Sequence, residues 1–153
     1  MAGTLLHFVY EWSGYSPLTA PFAAINESVW EHLKLLFFPA LIWGLVKIIF
    51  NPYRQINEWA ANAIGIFGGM FSIIAIFYIY TGILGFNIPA IDISLFFISV
   101  AVFLVLRNLI LKNYLFEGKT ANIISALLLA VTSAAFGVFS FYPPKISIFT
   151  TPQ

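Results

Sequence analysis

Four long apolar segments dominate this 153-residue sequence and limit what the chain can fold into. They cover residues 33–50, 59–86, 88–111 and 121–142, and each approaches or exceeds the roughly 20 residues that a helix needs to cross a bilayer. The whole chain is 61% hydrophobic and 8% charged, whereas soluble domains carry about 25% charged residues. The sequence therefore predicts an all-α fold, a polytopic transmembrane helix bundle with four spanning helices, in a single integral membrane domain over residues 1–153.

Turn signals separate the four segments from one another. Proline cannot continue a helix and restricts the residue before it, so Asn51-Pro52 ends the first span. Residues 86–89 and 117–120 divide the later spans, and Pro143-Pro144 ends the last one.

The N-terminal apolar stretch is too short to match the other four. Residues 2–12 amount to about half of the roughly 20 residues that a span requires. We predict a half-helix or partial span here, followed by an interfacial loop over residues 15–26.

The distribution of basic residues predicts an orientation. Five of the seven lie in or beside the 51–58 and 112–120 links, namely Lys47, Arg54, Arg107, Lys112 and Lys119, while Lys34 and Lys145 lie on the other side. Because cytoplasmic loops are enriched in Lys and Arg, we expect a multi-pass cell-membrane protein with these two links in the cytoplasm. Lys34 and Lys47 are close enough to the ends of their span to snorkel toward water.

Composition also excludes several classes of function. The net charge is +1 and the basic residues form no patch, so we expect no nucleic-acid partner. The chain has no cysteine, which excludes disulfides, thiolate metal ligands and cysteine nucleophiles.

Small residues repeat at four-residue spacing on two segments. Ala61, Gly65 and Gly69 form one series, and Ala126, Ala130 and Ala134 form another. Such spacing lets helix backbones approach closely in lipid. It predicts packing inside the bundle, with a homo-oligomer interface as the alternative.

Six ionisable or amide side chains are concentrated in the first 32 residues. Such groups are costly near hydrocarbon and are usually retained because they form a site. We therefore predict a polar site near the outer membrane face, with His7, Glu11, Glu27, Glu31 and His32 as catalytic candidates and Tyr10, Asn26 and Trp30 as substrate contacts.

Helix geometry divides these candidates into groups. His7, Tyr10 and Glu11 share one helical face, and Glu27 and Glu31 share another. His32 lies about 100° around from Glu31 on a helix. Either the helix begins after Glu27, or its two faces have separate roles.

An ordinary structural explanation covers part of this pattern. Ser28-x-x-Glu31 before an apolar run is a capping-box sequence. Glu31 can also pair with Lys34 one turn later. These two interactions would account for Glu31 without any catalytic role.

A divalent metal is one cofactor that these residue types can hold. Histidine and glutamate suit zinc, manganese or iron, but their spacing here matches no metal-binding motif. A Glu/His proton relay or general acid–base pair fits the same residues, so the cofactor stays open.

Two strings in this region, HFVYEWSG at residues 7–14 and NESVWEHLK at residues 26–34, resemble paired motifs in a family of small bacterial multi-pass membrane proteins of unknown function. The string YPPKI at residues 142–146 is similar to a third motif of that family. The resemblance implies a shared multi-helix fold and a shared polar cluster on the outer face, and it implies no activity.

Three functions fit these observations. The first is a membrane-embedded enzyme that acts on a lipid or apolar small molecule through acid–base or metal-assisted chemistry. The second is a cation- or proton-coupled protein that binds or transports a solute, and the third is a structural subunit of a membrane complex. Clustering at one membrane face favours the enzyme, because transporters more often place their charges near the midplane.

Overall fold

The computed structural model describes residues 2–50 and 57–151, with side chains except at positions 2–5 and 7. These residues form five α-helices and one turn of 3-10 helix, and they contain no strand. The elements are α1 (Ala2–Trp12), α2 (Val29–Phe50), α3 (Glu58–Leu84), α4 (Pro89–Lys112), α5 (Lys119–Phe141) and the 3-10 turn Ser147–Phe149. The predicted all-α fold is confirmed.

Helices α2 to α5 are long and apolar enough to cross a membrane. They contain 22 to 27 residues, which at 1.5 Å per residue gives roughly 33–40 Å, more than the hydrocarbon thickness of about 30 Å. Helix α1 has 11 residues and reaches only about 16 Å. It agrees with the predicted half-helix in both its length and its bounds.

The breaks between the described helices lie at or beside the predicted turn residues, and α3 ends slightly earlier than predicted. Gly85 ends α3 with a positive φ of 81° while its N–H donates to the Thr81 carbonyl, a conformation that costs glycine little. Pro89 occupies the first turn of α4, where its missing N–H has no helical partner to lose. Helix α5 starts at Lys119, after Gly118, and ends before Pro143-Pro144. The predicted break at Asn51-Pro52 lies outside the described residues.

Small residues on α3 allow α4 to approach its backbone, as their spacing predicts. A Cβ added at Gly65 would stand 2.8 Å from the Phe103 carbonyl oxygen, and one at Gly69 would stand 2.9 Å from that of Ser99. Both distances are too short for a real side chain. The Gly65 and Gly69 pair therefore serves packing within the bundle.

The alanine series on α5 behaves differently. Ala130 and Ala134 are exposed on the surface of the bundle, unlike the buried Gly65 and Gly69 region of α3. A homo-oligomer interface at this surface stays a prediction.

A buried polar cluster joins α3 to α4 at the end of the bundle where α4 finishes. The Arg107 guanidinium lies 2.6 Å from a Glu58 carboxylate oxygen through Nη2, and its Nε donates to Asn62 Oδ1 at 2.8 Å. Asn57 is also buried, and its Nδ2 donates to the carbonyls of Ile110 and Leu115. Pairing and hydrogen bonding allow these groups to be buried here.

The loop before α2, the α3–α4 link and the C-terminal tail meet at the opposite end. Val29 at the start of α2, Asn87 of the link and Thr150 of the tail line one cavity, and Glu27 of the loop lines another together with Asn87. The ring of Trp30 at the start of α2 also packs against that of Phe149 in the tail, with 4.7 Å between centroids. These contacts place the three segments at the same end of the bundle.

The four spans differ in how much of their surface the protein covers. In the apolar 18-residue stretch of each span, 50% is buried in α2 but only 17% in α4. Large side chains such as Phe97 and Val105 on α4 are more than half exposed. Helix α2 is thus the most covered of the four spans, and the outer faces of α4 and α5 are apolar surface suited to lipid.

Candidate functional site

The first residue of α2 determines which of the predicted polar residues lie in the helix and which precede it. The helix begins at Val29, so Glu27 precedes it and need not follow the helical stripe of Glu31. Glu27 turns instead to His32, with 3.4 Å between Glu27 Oε2 and His32 Nε2. Of the two geometric alternatives left by the sequence, the structure adopts the later helix start.

Glu31 turns inward and joins a buried cluster with Lys34 and Ser140, which we call the Lys34 cluster. Lys34 is 0% exposed and Glu31 is 2% exposed. Lys34 Nζ lies 2.6 Å from Glu31 Oε2 and 2.5 Å from Ser140 Oγ. The predicted Glu31–Lys34 ion pair is confirmed.

The prediction that Lys34 snorkels toward water is wrong. Its ammonium group stays inside because the backbone supplies acceptors there: Nζ donates to the Ala20 carbonyl at 2.9 Å and approaches that of Ala23 at 3.4 Å. An ammonium has three N–H donors, and Glu31, Ser140 and Ala20 provide three close acceptors. Burial is tolerated because the charge is both paired and hydrogen-bonded.

The Lys34 cluster fixes the loop of residues 13–28 to the bundle. Glu31 Oε2 accepts the Ile25 N–H at 3.0 Å, while Lys34 binds the two alanine carbonyls of the same loop. Ser140 belongs to α5 and donates to the Phe136 carbonyl at 2.7 Å. The loop, α2 and α5 therefore meet at one buried ion pair. This structural role accounts for the presence of Glu31 without a catalytic function.

The predicted capping box forms only in part. Ser28 Oγ accepts the Glu31 N–H at 3.4 Å, a long contact. The Ser28 N–H is bound by Asn26 Oδ1 at 2.9 Å rather than by Glu31. Asn26 thus takes the reciprocal role that the box assigns to the glutamate, because the Glu31 carboxylate is occupied by Lys34.

The Glu27–His32 pair lies at the surface beside this buried cluster. His32 Nδ1 is 2.9 Å from the Ser28 carbonyl oxygen, and since a carbonyl can only accept, Nδ1 carries the proton that it donates. The second nitrogen, Nε2, is consequently the one that can gain or release a proton, and it faces Glu27.

A large, mostly apolar cavity begins at this pair. Its volume is about 560 Å³, and it is bounded by residues of α1, α2, α3 and α4 and the segments beside them. Phe8, Leu35, Ile73 and Leu95 are among its apolar lining, while Glu27, His32, Asn87 and Asp92 supply polar groups. We refer to it as the main cavity.

Part of the wall of the main cavity lies at the outer surface of α4. Ile93 and Phe97 line it, and both side chains are also more than half exposed. A molecule lying against this apolar surface could therefore enter sideways, between helices, as well as from the end of the bundle.

Asp92 is a third ionisable group on the cavity wall, and sequence reasoning did not include it in the site. The Tyr80 hydroxyl donates to its Oδ1, and Asn87 Nδ2 donates to its Oδ2 at 3.2 Å. Tyr80 of α3 is thus bound to an acid on the next helix. The position of Asp92 in the first turn of α4 was the only signal available.

A second cavity of about 440 Å³ adjoins the main one. The two share Val29, Phe77 and Asn87 as lining residues. The remaining lining includes hydroxyl groups of the α3 end and the C-terminal tail: Tyr78, Thr81, Ser147, Thr150 and Thr151. The second cavity is therefore more polar in character, with no charged side chain among its described lining residues.

The other predicted site residues have the following positions. Tyr10 and Glu11 lie on α1, where Tyr10 is half-buried against the ring of Tyr15 and Glu11 is exposed. Trp30 packs among the rings of Phe136, Phe139 and Phe149. The side chain of His7 lies outside the described part of the structure.

The predicted metal ligands do not assemble within the described side chains. No three histidine or acidic residues there are close enough to hold one ion. Glu31 is engaged with Lys34 and Glu27 with His32, so the two glutamates that the sequence placed together face different partners.

Comparison with other proteins adds the family but no activity. No curated protein and no solved structure matches the chain. A family model described as a family of unknown function (DUF6512) matches residues 1–152. Because this match covers nearly the whole sequence, the chain belongs to that family of unknown function.

Proposed function

We propose that this protein is a membrane-embedded enzyme that admits a lipid or another apolar small molecule to the main cavity and acts on its polar end. The observation that carries the proposal is the cavity itself, which combines an apolar lining with Glu27, His32 and Asp92. Ligand sites typically have a volume of about 300–1,000 Å³, an apolar lining and a few polar groups.

The proposed chemistry is acid–base catalysis by His32, with Glu27 beside it. His32 Nδ1 is held by the Ser28 carbonyl, which leaves Nε2 to exchange a proton with the ligand. Glu27 lies 3.4 Å from that nitrogen and would stabilise the imidazolium that forms. Histidine is suited to this role because it changes charge near neutral pH.

The position of the charges favours this proposal over transport. Glu31 and Lys34 lie near the start of α2, and Asp92 lies in the first turn of α4. Carriers more often hold their coupling ions at broken helices near the midplane of the bilayer. A role as a structural subunit of a larger complex would explain the Lys34 cluster, but it would not explain why the bundle contains the main cavity.

Photolabelling tests occupancy of the main cavity. We expect a fatty alcohol with a diazirine group to crosslink to residues of the main cavity in protein reconstituted in nanodiscs. Ile93→Trp should reduce this labelling several-fold, because Ile93 lines the cavity and the indole would fill part of it. Ile123→Trp is the matched control: Ile123 is 60% exposed, against 59% for Ile93, and it lines neither cavity. Equal labelling of both variants would exclude the cavity as the binding site.

The chemical step is tested separately through the lipids of the host cell. Mass spectra of extracts from cells that express wild-type protein should contain a product that is lost with His32→Gln. Glutamine keeps a polar side chain but cannot take up a proton, so binding should persist while turnover stops. Identical extracts from both strains would contradict the acid–base role of His32.

A further inference from the structure

The ionisable groups of the main cavity are mostly acidic. Glu27 and Asp92 are carboxylates, and His32 is the third group. No lysine or arginine occurs among the described residues that line either cavity. Even when His32 is protonated, two carboxylates face one imidazolium, and the net charge of the wall is negative.

The hydrogen-bond donors around Asp92 do not neutralise this charge. They are the Tyr80 hydroxyl and the Asn87 amide, which are both uncharged. They hold the carboxylate in a fixed orientation on the cavity wall. The arrangement leaves Asp92 as a negative charge to which a ligand can supply the counter-ion.

Aromatic rings complete the lining near these carboxylates. Phe8, Phe77, Phe96 and Phe97 all line the main cavity. The face of an aromatic ring attracts a cation, most strongly where water is excluded, and rings combined with acids are a recurrent means of binding ammonium groups. A phosphate or carboxylate would meet repulsion from Glu27 and Asp92 and would find no basic partner among the described lining residues.

We propose that the ligand of the main cavity is a lipophilic ammonium ion, an amine or quaternary ammonium group on an apolar chain. The ammonium would contact Asp92, and the chain would lie along Leu35, Ile73 and Leu95. This inference rests on the proposed function, since it specifies the ligand of the same cavity. It adds that the ligand is cationic.

Competition against the neutral photoprobe tests the charge preference. The competitors share one chain and differ in head group: dodecyltrimethylammonium, dodecanol and dodecyl phosphate. The protein is held in nanodiscs of uncharged galactolipid so that no lipid head group competes. We expect the ammonium compound to compete best, and its advantage over dodecanol to fall about tenfold in Asp92→Asn, which corresponds to one charge-assisted contact.

Matched variants separate this effect from misfolding and from partitioning into the bilayer. Glu117→Gln removes an exposed acid in the α4–α5 link that lines neither cavity, and it should leave the preference unchanged. Glu27→Gln provides a second test within the cavity at a side chain that is 67% exposed, where folding should tolerate the change. It should also weaken competition by the ammonium compound.

The possible outcomes distinguish the inference from the proposed function. An advantage of the ammonium compound that is lost in Asp92→Asn and kept in Glu117→Gln supports the inference. Equal competition by the three compounds, or stronger competition by dodecyl phosphate, overturns the cationic ligand while the cavity still binds the photoprobe. Absence of photolabelling in wild-type protein overturns the proposed function as well.

Discussion

At the residue scale, Glu27 and Glu31 are four positions apart in the sequence, yet their carboxylates lie in different environments. Glu27 precedes α2 and pairs with His32 at the surface, whereas Glu31 lies inside the helix and pairs with Lys34 in the interior. Two similar glutamates thus differ because only the second is carried inward by the helix. A surface pair contributes little to stability, while a buried pair becomes critical once one partner is removed.

We predict that Lys34→Met destabilises the protein by about 3–5 kcal/mol, because Glu31 is then a buried carboxylate without its counter-ion. Unfolding of the purified protein in mixed micelles would measure the loss. Lys145→Met is the control, since Lys145 is exposed and its removal should change stability by at most about 0.5 kcal/mol.

A double variant tests whether the ion pair is the cause. Glu31→Gln combined with Lys34→Met removes both charges, so it should be more stable than Lys34→Met alone. If the double variant shows no recovery, the hydrogen bonds of Lys34 to the loop, rather than its pairing with Glu31, dominate the loss.

At the scale of helices, the spacing of glycines determines which surfaces can meet. The α3–α4 contact forms where Gly65 and Gly69 present no side chain to the α4 backbone. Bilayer lipid is as apolar as the helices are, so association depends on close packing and polar contacts rather than on hydrophobic burial. Arg107 with Glu58 and Tyr80 with Asp92 supply such contacts at the two ends of the same helix pair.

We predict opposite effects for alanine at two glycines of α3. Gly65→Ala should cost about 1–3 kcal/mol, because its Cβ would overlap the Phe103 carbonyl and separate the helices. Gly82→Ala should be neutral or stabilise by up to about 1 kcal/mol, because nothing lies within 4 Å of the added Cβ and alanine favours helix. Unfolding of both variants in the same detergent checks this, and equal losses would argue against the close approach.

At the scale of the whole molecule, one end of the bundle combines segments that are far apart in sequence. Glu27 of the loop before α2 lines the main cavity, the C-terminal tail lines the second cavity, and Asn87 of the α3–α4 link lines both. The α4–α5 link is at the other end, where the Leu115 carbonyl accepts a hydrogen bond from Asn57 beside the buried Arg107–Glu58 pair. The proposed site therefore lies at one end of the bundle.

The absence of cysteine from the sequence allows this arrangement to be tested by labelling. With single cysteines introduced, Leu18→Cys and Lys145→Cys should react alike with a membrane-impermeant maleimide added to intact cells. Glu117→Cys should react only after the cells are opened, if the basic links face the cytoplasm. The reverse pattern would invert the orientation, and a difference between positions 18 and 145 would contradict the shared end.

Sequence by itself determined the number of helices and their approximate positions, although α2 begins earlier than its apolar segment indicated. The apolar segments and the proline and glycine breaks predicted four spans and the half-helix Ala2–Trp12, because these features act locally along the chain. The Glu31–Lys34 pair and the close approach at Gly65 and Gly69 were also predictable, since each follows from spacing along one helix.

Only the tertiary structure decided which polar groups share a site. Burial of Lys34 depends on carbonyls of a preceding loop and on Ser140, 106 positions further along the chain. The contact of Asp92 with Tyr80 depends on how α3 and α4 pack, and the main cavity depends on four helices at once. Such contacts are set by the arrangement of helix faces in space, and the periodicity of a single segment carries no information about the partner that each face will meet.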